Sequence, residues 1–168
     1  MDTRRESEPA TTSSRTAVER TSDRELVVTR TVNGPARIVF EAWTKPELMK
    51  LWWAPKSSGV PLLSCEMDVR TGGGYRLEFG EDAANTMAFF GRYTEVTPPS
   101  RLVWTNDESA DGPVTTVTFE EKDGQTFVVL HELYSSKEAL EANRGAEEGL
   151  PEQFEQLDEL LATLGASV

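Results

Sequence analysis

The chain has a single cysteine, Cys65, and a single histidine, His131, among 168 residues. One thiol excludes an internal disulfide, and one imidazole beside it leaves too few nitrogen and sulfur donors for a structural zinc site. A hard-cation site built from carboxylates stays open, though no D-x-D-x-D-G loop supports it. No metal and no cofactor are therefore expected. Basic residues are also scarce: 17 Lys and Arg face 29 Asp and Glu, for a net charge of -12. Such a surface repels polyanions, which excludes nucleic acid and anionic membranes as partners. No apolar run approaches the roughly 20 residues of a membrane-spanning helix, and no apolar segment follows the N-terminal arginines. The expectation is a cytoplasmic protein without membrane insertion.

What remains is ordinary globular composition, 38% hydrophobic and 27% charged. A single domain of this length buries about 70% of its unfolded surface, enough for a core with a pocket hollowed into it. Residues 1–24 hold nine Ser or Thr, five Arg, five acids and no aromatic. That mixture buries too little apolar surface to offset ordering and reads as a disordered tail.

The domain is expected over residues 25–164, with 165–168 a short C-terminal tail. Glu25 to Val32 is rich in β-branched residues and stops at Asn33-Gly34-Pro35, a turn signal with Pro at a helix start. Ile38, Val39, Ala42 and Trp43 recur at helical spacing. Thr44-Lys45-Pro46-Glu47 has the form of a capping box before a second short helix with Leu48, Leu51 and Trp52 on one side.

The middle alternates as strands do. Leu63, Cys65, Met67 and Val69 share one parity, and Tyr75, Leu77 and Phe79 another, joined through Gly72-Gly73-Gly74. Further runs cover 86–96, 101–105, 114–120 and 125–133, the last two joined by the tight Lys122-Asp123-Gly124 turn. The facing of Met87 to Tyr93 stays open, because Phe89 and Phe90 are adjacent and a bulge near Gly91 would invert it. Ser135-Ser136-Lys137-Glu138 is a second capping box, and Asn143-Arg144-Gly145 interrupts the helical pattern. Leu150, Phe154, Leu157, Leu161 and Leu164 then lie on one face of a final helix whose acids occupy the other.

One strand, two short helices, six strands and a long amphipathic helix lack the crossovers of a doubly wound fold. The economical packing is α+β: a curved antiparallel sheet of about seven strands with the last helix laid across it. Trp43 or Trp52, Tyr75, Phe79, Trp104, Phe119, Phe127 and Phe154 are expected to face the concavity, either as plain core or as the wall of a pocket.

The segments Val39-Phe40-Glu41-Ala42-Trp43-Thr44-Lys45-Pro46-Glu47, Trp52-Trp53-Ala54-Pro55, Met67-Asp68-Val69-Arg70-Thr71-Gly72-Gly73, Gly91-Arg92-Tyr93 and Pro98-Pro99-Ser100-Arg101-Leu102-Val103-Trp104-Thr105 carry a resemblance. Together with the closing Leu157-Asp158-Glu159-Leu160-Leu161, they resemble the START-like (SRPBCC) superfamily, in the branch homologous to the C-terminal domain of the activator of heat-shock-protein-90 ATPase. The resemblance spans about residues 25–164. It implies a helix-grip fold enclosing a hydrophobic ligand cavity between sheet and C-terminal helix. Members of the superfamily include lipid carriers, hormone receptors, polyketide cyclases and co-chaperones, so fold alone does not name the function.

Among single residues, His131 shares the parity of Phe127 and Val129 and is expected to point into the cavity. There it would serve as a proton-transfer group, as a hydrogen-bond partner for ligand, or as a buried structural histidine, with no carboxylate placed to orient it. Cys65 reads as a buried structural thiol, and Gly72 to Gly74 as a sharp turn rather than a phosphate loop. Asp68 and Arg70 alternate outward. Trp52 and Trp53 either rim a cavity mouth or anchor the helices. The expected ligand-binding set is Trp43, Trp52, Met67, Tyr75, Phe79, Trp104, Phe119, Phe127, His131 and Phe154, with His131 the one catalytic candidate.

Three functions remain open. The leading expectation is a module binding a small apolar or amphipathic molecule. The second is a cyclase or dehydratase working by positioning and water exclusion in the same pocket. The third is a chaperone ATPase activator, against which stands the lack of the N-terminal domain that eukaryotic activators carry.

Overall fold

Strand and helix alternate as the sequence requires, and the computed structural model describes residues 16–82, 84–107, 112–142 and 144–166. In chain order the elements are β1 (Ala17–Ser22), β2 (Glu25–Asn33), α1 (Ala36–Thr44), α2 (Pro46–Trp52), β3 (Leu62–Met67), β4 (Gly74–Gly80), β5 (Thr86–Thr97) and β6 (Arg101–Thr105). They continue with β7 (Val114–Lys122), β8 (Gln125–Leu133), α3 (Lys137–Ala142) and α4 (Arg144–Ala166). One antiparallel sheet runs in the order β1-β2-β8-β7-β6-β5-β4-β3. The α+β helix-grip architecture is thus confirmed, with eight strands.

The additional strand corrects the expected tail. Residues 17–22 pair with β2, so the domain begins earlier than Glu25; residues 1–15 lie outside the described residues. Composition concealed β1 because it is an edge strand, where polar side chains are the rule. Val18 packs against the core, and the Arg20 guanidinium reaches Glu141 at 3.0 Å and Glu147 at 2.8 Å. At the other end Gly165 and Ala166 belong to α4, while Ser167 and Val168 lie outside the described residues.

Local chemistry sets the boundaries. Pro46 at the first position starts α2, but the expected capping box does not form, since Thr44 instead donates its hydroxyl to the carbonyl of Phe40. A threonine at a helix end has both options, and the preceding turn is nearer. Before α3 it is Ser136 whose side chain accepts from the Ala139 N–H, one residue later than the expected box. Asp123 and Gly124 both have positive φ, 56° and 80°, as a two-residue hairpin turn requires. Leu63, expected inside, is exposed because a register shift beside it turns Leu62 inward.

The C-terminal helix lies along the β1-β2 side of the sheet and against α1 and α2. Leu150, Phe154, Leu157 and Leu161 are its buried stripe. Asp158 fixes the crossing by accepting from Arg30 at 3.1 Å and from the Asn33 N–H at 3.1 Å. With α4 seated on that side, the β3 to β6 half of the sheet is covered by α2, which packs against β3.

Deleting residues 1–22 should therefore lower the melting temperature by several degrees, since it removes a paired strand, Val18 packing and both Arg20 contacts. Thermal unfolding of the shortened chain against the full chain checks this; an unchanged midpoint would mean that β1 contributes nothing to the fold.

Candidate functional site

Between α1, α2, α4 and the β3 to β6 half of the sheet lies a cavity of about 400 Å³. A volume in this range suits a small-molecule ligand. Its lining is mostly aromatic and thioether: Trp43, Trp53, Met67, Tyr75, Phe79, Met87, Phe89, Tyr93 and Trp104, with Met49, Leu77 and Leu150. Met87, Phe89 and Val60, also in the lining, are exposed at the mouth.

Strand register explains how distant residues meet. Tyr93 stands opposite Trp104, Trp104 opposite Thr115, and Thr115 opposite Glu132, so four side chains from β5 to β8 form one row across the concave face. In β5, Met87, Phe89, Gly91 and Tyr93 face inward and Phe90 faces out beneath the Arg76 guanidinium. The register slips between Tyr93 and Glu95, so the bulge comes after Tyr93 rather than at Gly91. Gly91 has a different task. A Cβ there would lie 1.9 Å from the Thr105 carbonyl oxygen and 2.9 Å from the Tyr75 hydroxyl. The bare backbone lets Tyr75 cross over and donate to Thr105 O at 2.8 Å.

From Tyr75 a hydrogen-bonded chain follows the wall. The Tyr75 hydroxyl lies 3.2 Å from Asn106 Oδ1. Asn106 Nδ2 donates to Pro113 O at 2.7 Å and to Thr115 Oγ1 at 3.0 Å. Thr115 Oγ1 donates in turn to Glu132 Oε2 at 3.4 Å, and the Tyr134 hydroxyl donates to Glu132 Oε1 at 2.8 Å. Glu132 is thus the terminal acceptor of the wall. What surface it retains belongs to the cavity. Burial holds its carboxyl above the ordinary range, partly offset by the hydrogen bonds from Tyr134 and Thr115. Burial likewise raises the phenols of Tyr93 and Tyr134, the latter also through Glu132.

The helices hold the opposite wall. Gln156 Nε2 donates to the carbonyls of Trp52 and Ala54 at 2.8 and 2.9 Å, and Gln153 Nε2 to that of Trp53. These bonds from α4 satisfy the open C-terminal carbonyls of α2 and place Trp53 at the cavity.

Of the expected ligand-binding set, Trp43, Met67, Tyr75, Phe79 and Trp104 line the cavity. Trp52, Phe119 and Phe154 are buried one layer behind, around Trp43 at ring separations of 4.8, 5.9 and 6.0 Å. Phe127 and His131 are corrections: both lie on the outer face, Phe127 42% exposed and His131 2.9 Å from the partly exposed Glu25 carboxylate. That hydrogen bond is the chief cause holding the Glu25 carboxyl below its ordinary range. The parity of β8 is opposite to the expected one, and Glu132 and Tyr134 occupy the position foreseen for His131. The two-residue turn ties the facing of β8 to that of β7, for it sets Phe119 opposite Val128, so Phe119 and Phe127 cannot share a face, while which face turns inward is decided by the rest of the sheet. Asn106 and Gln153 gave no sequence signal.

Cys65 is half-buried, its Sγ 3.4 Å from Met67 Sδ, and burial pushes its thiol up to about 11. The backbone N–H groups of Gly72 and Gly73 donate to Tyr93 O and Arg70 O within the turn, each at 2.8 Å, which leaves no phosphate cradle there. Arg70 pairs with Asp68 on the surface. Among the described residues no three His, Cys, Asp or Glu side chains are grouped to hold a metal ion, and no helix is long and apolar enough to cross a membrane.

The family model for Activator of Hsp90 ATPase homolog 1-like protein matches residues 33–162. The chain belongs to this family. Among solved structures, a protein from Nitrosomonas europaea is 25% identical, with a TM-score of 0.75 over 86% of this chain and 98% of that one. One from Rhodobacter sphaeroides is 22% identical, with a TM-score of 0.80 over 89% and 99%. The AHSA1-like protein from Aeromonas hydrophila is 20% identical, with a TM-score of 0.64 over 83% and 94%, a likeness of fold. A search of curated proteins finds no match.

Glu132 makes the stability of this fold depend on pH. A carboxyl raised on folding favours the folded state fully below its ordinary value of 4.5, and that contribution is lost as pH rises through the higher folded value. Glu132→Gln should therefore raise the melting temperature at pH 8 by a few degrees and by less at pH 5. Equal gains at both pH values in paired thermal melts would contradict a buried, titrating carboxyl.

Proposed function

We propose that the protein binds a small apolar or amphipathic molecule in this cavity, working in the cytoplasm as a ligand-binding protein. The observation that carries the reading is the division of the wall, with a continuous aromatic and thioether surface on most sides and one hydrogen-bonded polar row ending at Glu132. Apolar area supplies affinity and the polar row supplies orientation. A tightly filled core would have no use for a carboxyl on its inward face, where burial is costly.

An enzymatic reading keeps one specific support. A carboxyl held high in a cleft is a fitting proton-transfer group, so a cyclase or dehydratase would use Glu132 rather than the outward His131. The chaperone reading rests on the family's name alone.

The neutral fluorophore N-phenyl-1-naphthylamine should bind saturably with enhanced emission. Met67→Trp, which fills the cavity from the β3 wall, should weaken that binding at least about tenfold. Phe154→Ala lies behind the wall and should cost about 3–5 kcal/mol in denaturant unfolding while changing probe affinity little. No saturable binding to the parent would sink the cavity reading.

A further inference from the structure

The cavity has a charge asymmetry beyond its apolar character. Among the described residues Glu132 is the one acid in its lining, and none of that lining is Lys, Arg or His. The polar row also has a direction. The hydroxyl hydrogens of Tyr134 and Thr115 are spent on Glu132, that of Tyr75 on Thr105 O, and the Asn106 amide on Pro113 O and Thr115. Tyr93 keeps a neutral hydroxyl. The buried indole N–H of Trp43 is enclosed by protein and offers a ligand nothing. Apart from the Tyr93 hydroxyl, the described wall therefore presents mainly acceptors and a carboxyl, without a fixed positive charge to meet an anion.

Farther along the same row stands a cluster of electron-rich rings. Trp104 is two strands from Glu132 along the same row, and its ring lies 6.4 Å from Tyr93 and 6.5 Å from Tyr75, which are themselves 5.7 Å apart. These rings offer aromatic surface to the apolar body of a ligand whose charged end meets the carboxyl. An ammonium would pair with an acid that meets no cation among the described cavity lining, whereas a second carboxylate would be repelled by it. The net charge of -12 adds a long-range pull of the same sign.

We propose that the occupant of the cavity is an amphiphile whose polar end is a protonated amine, seated against Glu132 with its apolar body over Tyr93 and Trp104. This rests on the ligand-cavity reading above and names the chemical class of the ligand. No covalent step is involved.

The test is calorimetric titration of the full chain in 0.15 M salt with decylamine, 1-decanol and decanoate, each below its micelle concentration. Decylamine should bind at least about tenfold tighter than decanoate. In Glu132→Gln that ratio should collapse to within about threefold. Decanoate binding as tightly as decylamine to the parent would overturn the inference, and does so whether or not the variant folds. A preference for the amine that survives Glu132→Gln would also overturn it, by placing the cation on the acidic surface. If the naphthylamine probe binds but the amine shows no advantage, the ligand class alone fails. If neither the probe nor any decyl compound binds, the cavity reading fails with it.

Discussion

Trp43 is the side chain on which both core and cavity depend. It is 1% exposed and meets Trp52, Trp53, Trp104, Phe119 and Phe154 with ring centroids between 4.8 and 6.1 Å. Those partners come from α2 and the residue after it, from β6, from β7 and from α4, so one indole ties helix to sheet across the molecule. Edge-on contacts of this kind add to the burial of each ring, itself worth about 1.5–3 kcal/mol. Trp43 also forms part of the cavity wall. The rings behind it therefore stiffen a surface that faces empty space.

Seating α4 on one side of the sheet has a consequence for the other side. Arg30, Asn33 and the carbonyls of Trp52 to Ala54 hold the helix through Asp158, Gln153 and Gln156. The row from Tyr93 to Glu132 is left facing a cavity. A polar residue on the concave face is tolerable there because the neighbouring hydroxyls satisfy it, whereas in a closed core the same carboxyl would be a net loss. Fold stability and the chemistry of the wall thus draw on the same packing. A carboxyl on an inward face is a departure from good core chemistry, and it sits at Glu132, on the cavity wall.

Much of the architecture was legible in the chain. β-branched runs, Gly-Pro punctuation and the 3.6-residue stripe of α4 set element type and order, and order alone ruled out a doubly wound sheet. β1 escaped because a short edge strand needs few apolar residues. Five of the expected binding residues reached the cavity, because aromatic side chains on inward parity have few other places to go. Trp52, Phe119 and Phe154 did not, since sequence does not tell a ring lining a space from a ring backing it.

By itself the sequence determined that the domain is a curved meander gripped by an amphipathic helix, because periodicity and turn chemistry are local properties. It also determined that the protein carries excess negative charge and has few ligands for transition metals. Tertiary structure alone decided which face of β8 looks inward. Phe127, Val129 and His131 form as plausible an apolar stripe as Val128, Leu130 and Glu132, and only pairing with the buried side of β2 and β7 separates them. That choice moved the single histidine to the surface and brought a glutamate into the cavity. A strand's two faces differ by one residue of register, and register is settled by neighbours that lie far away in the chain.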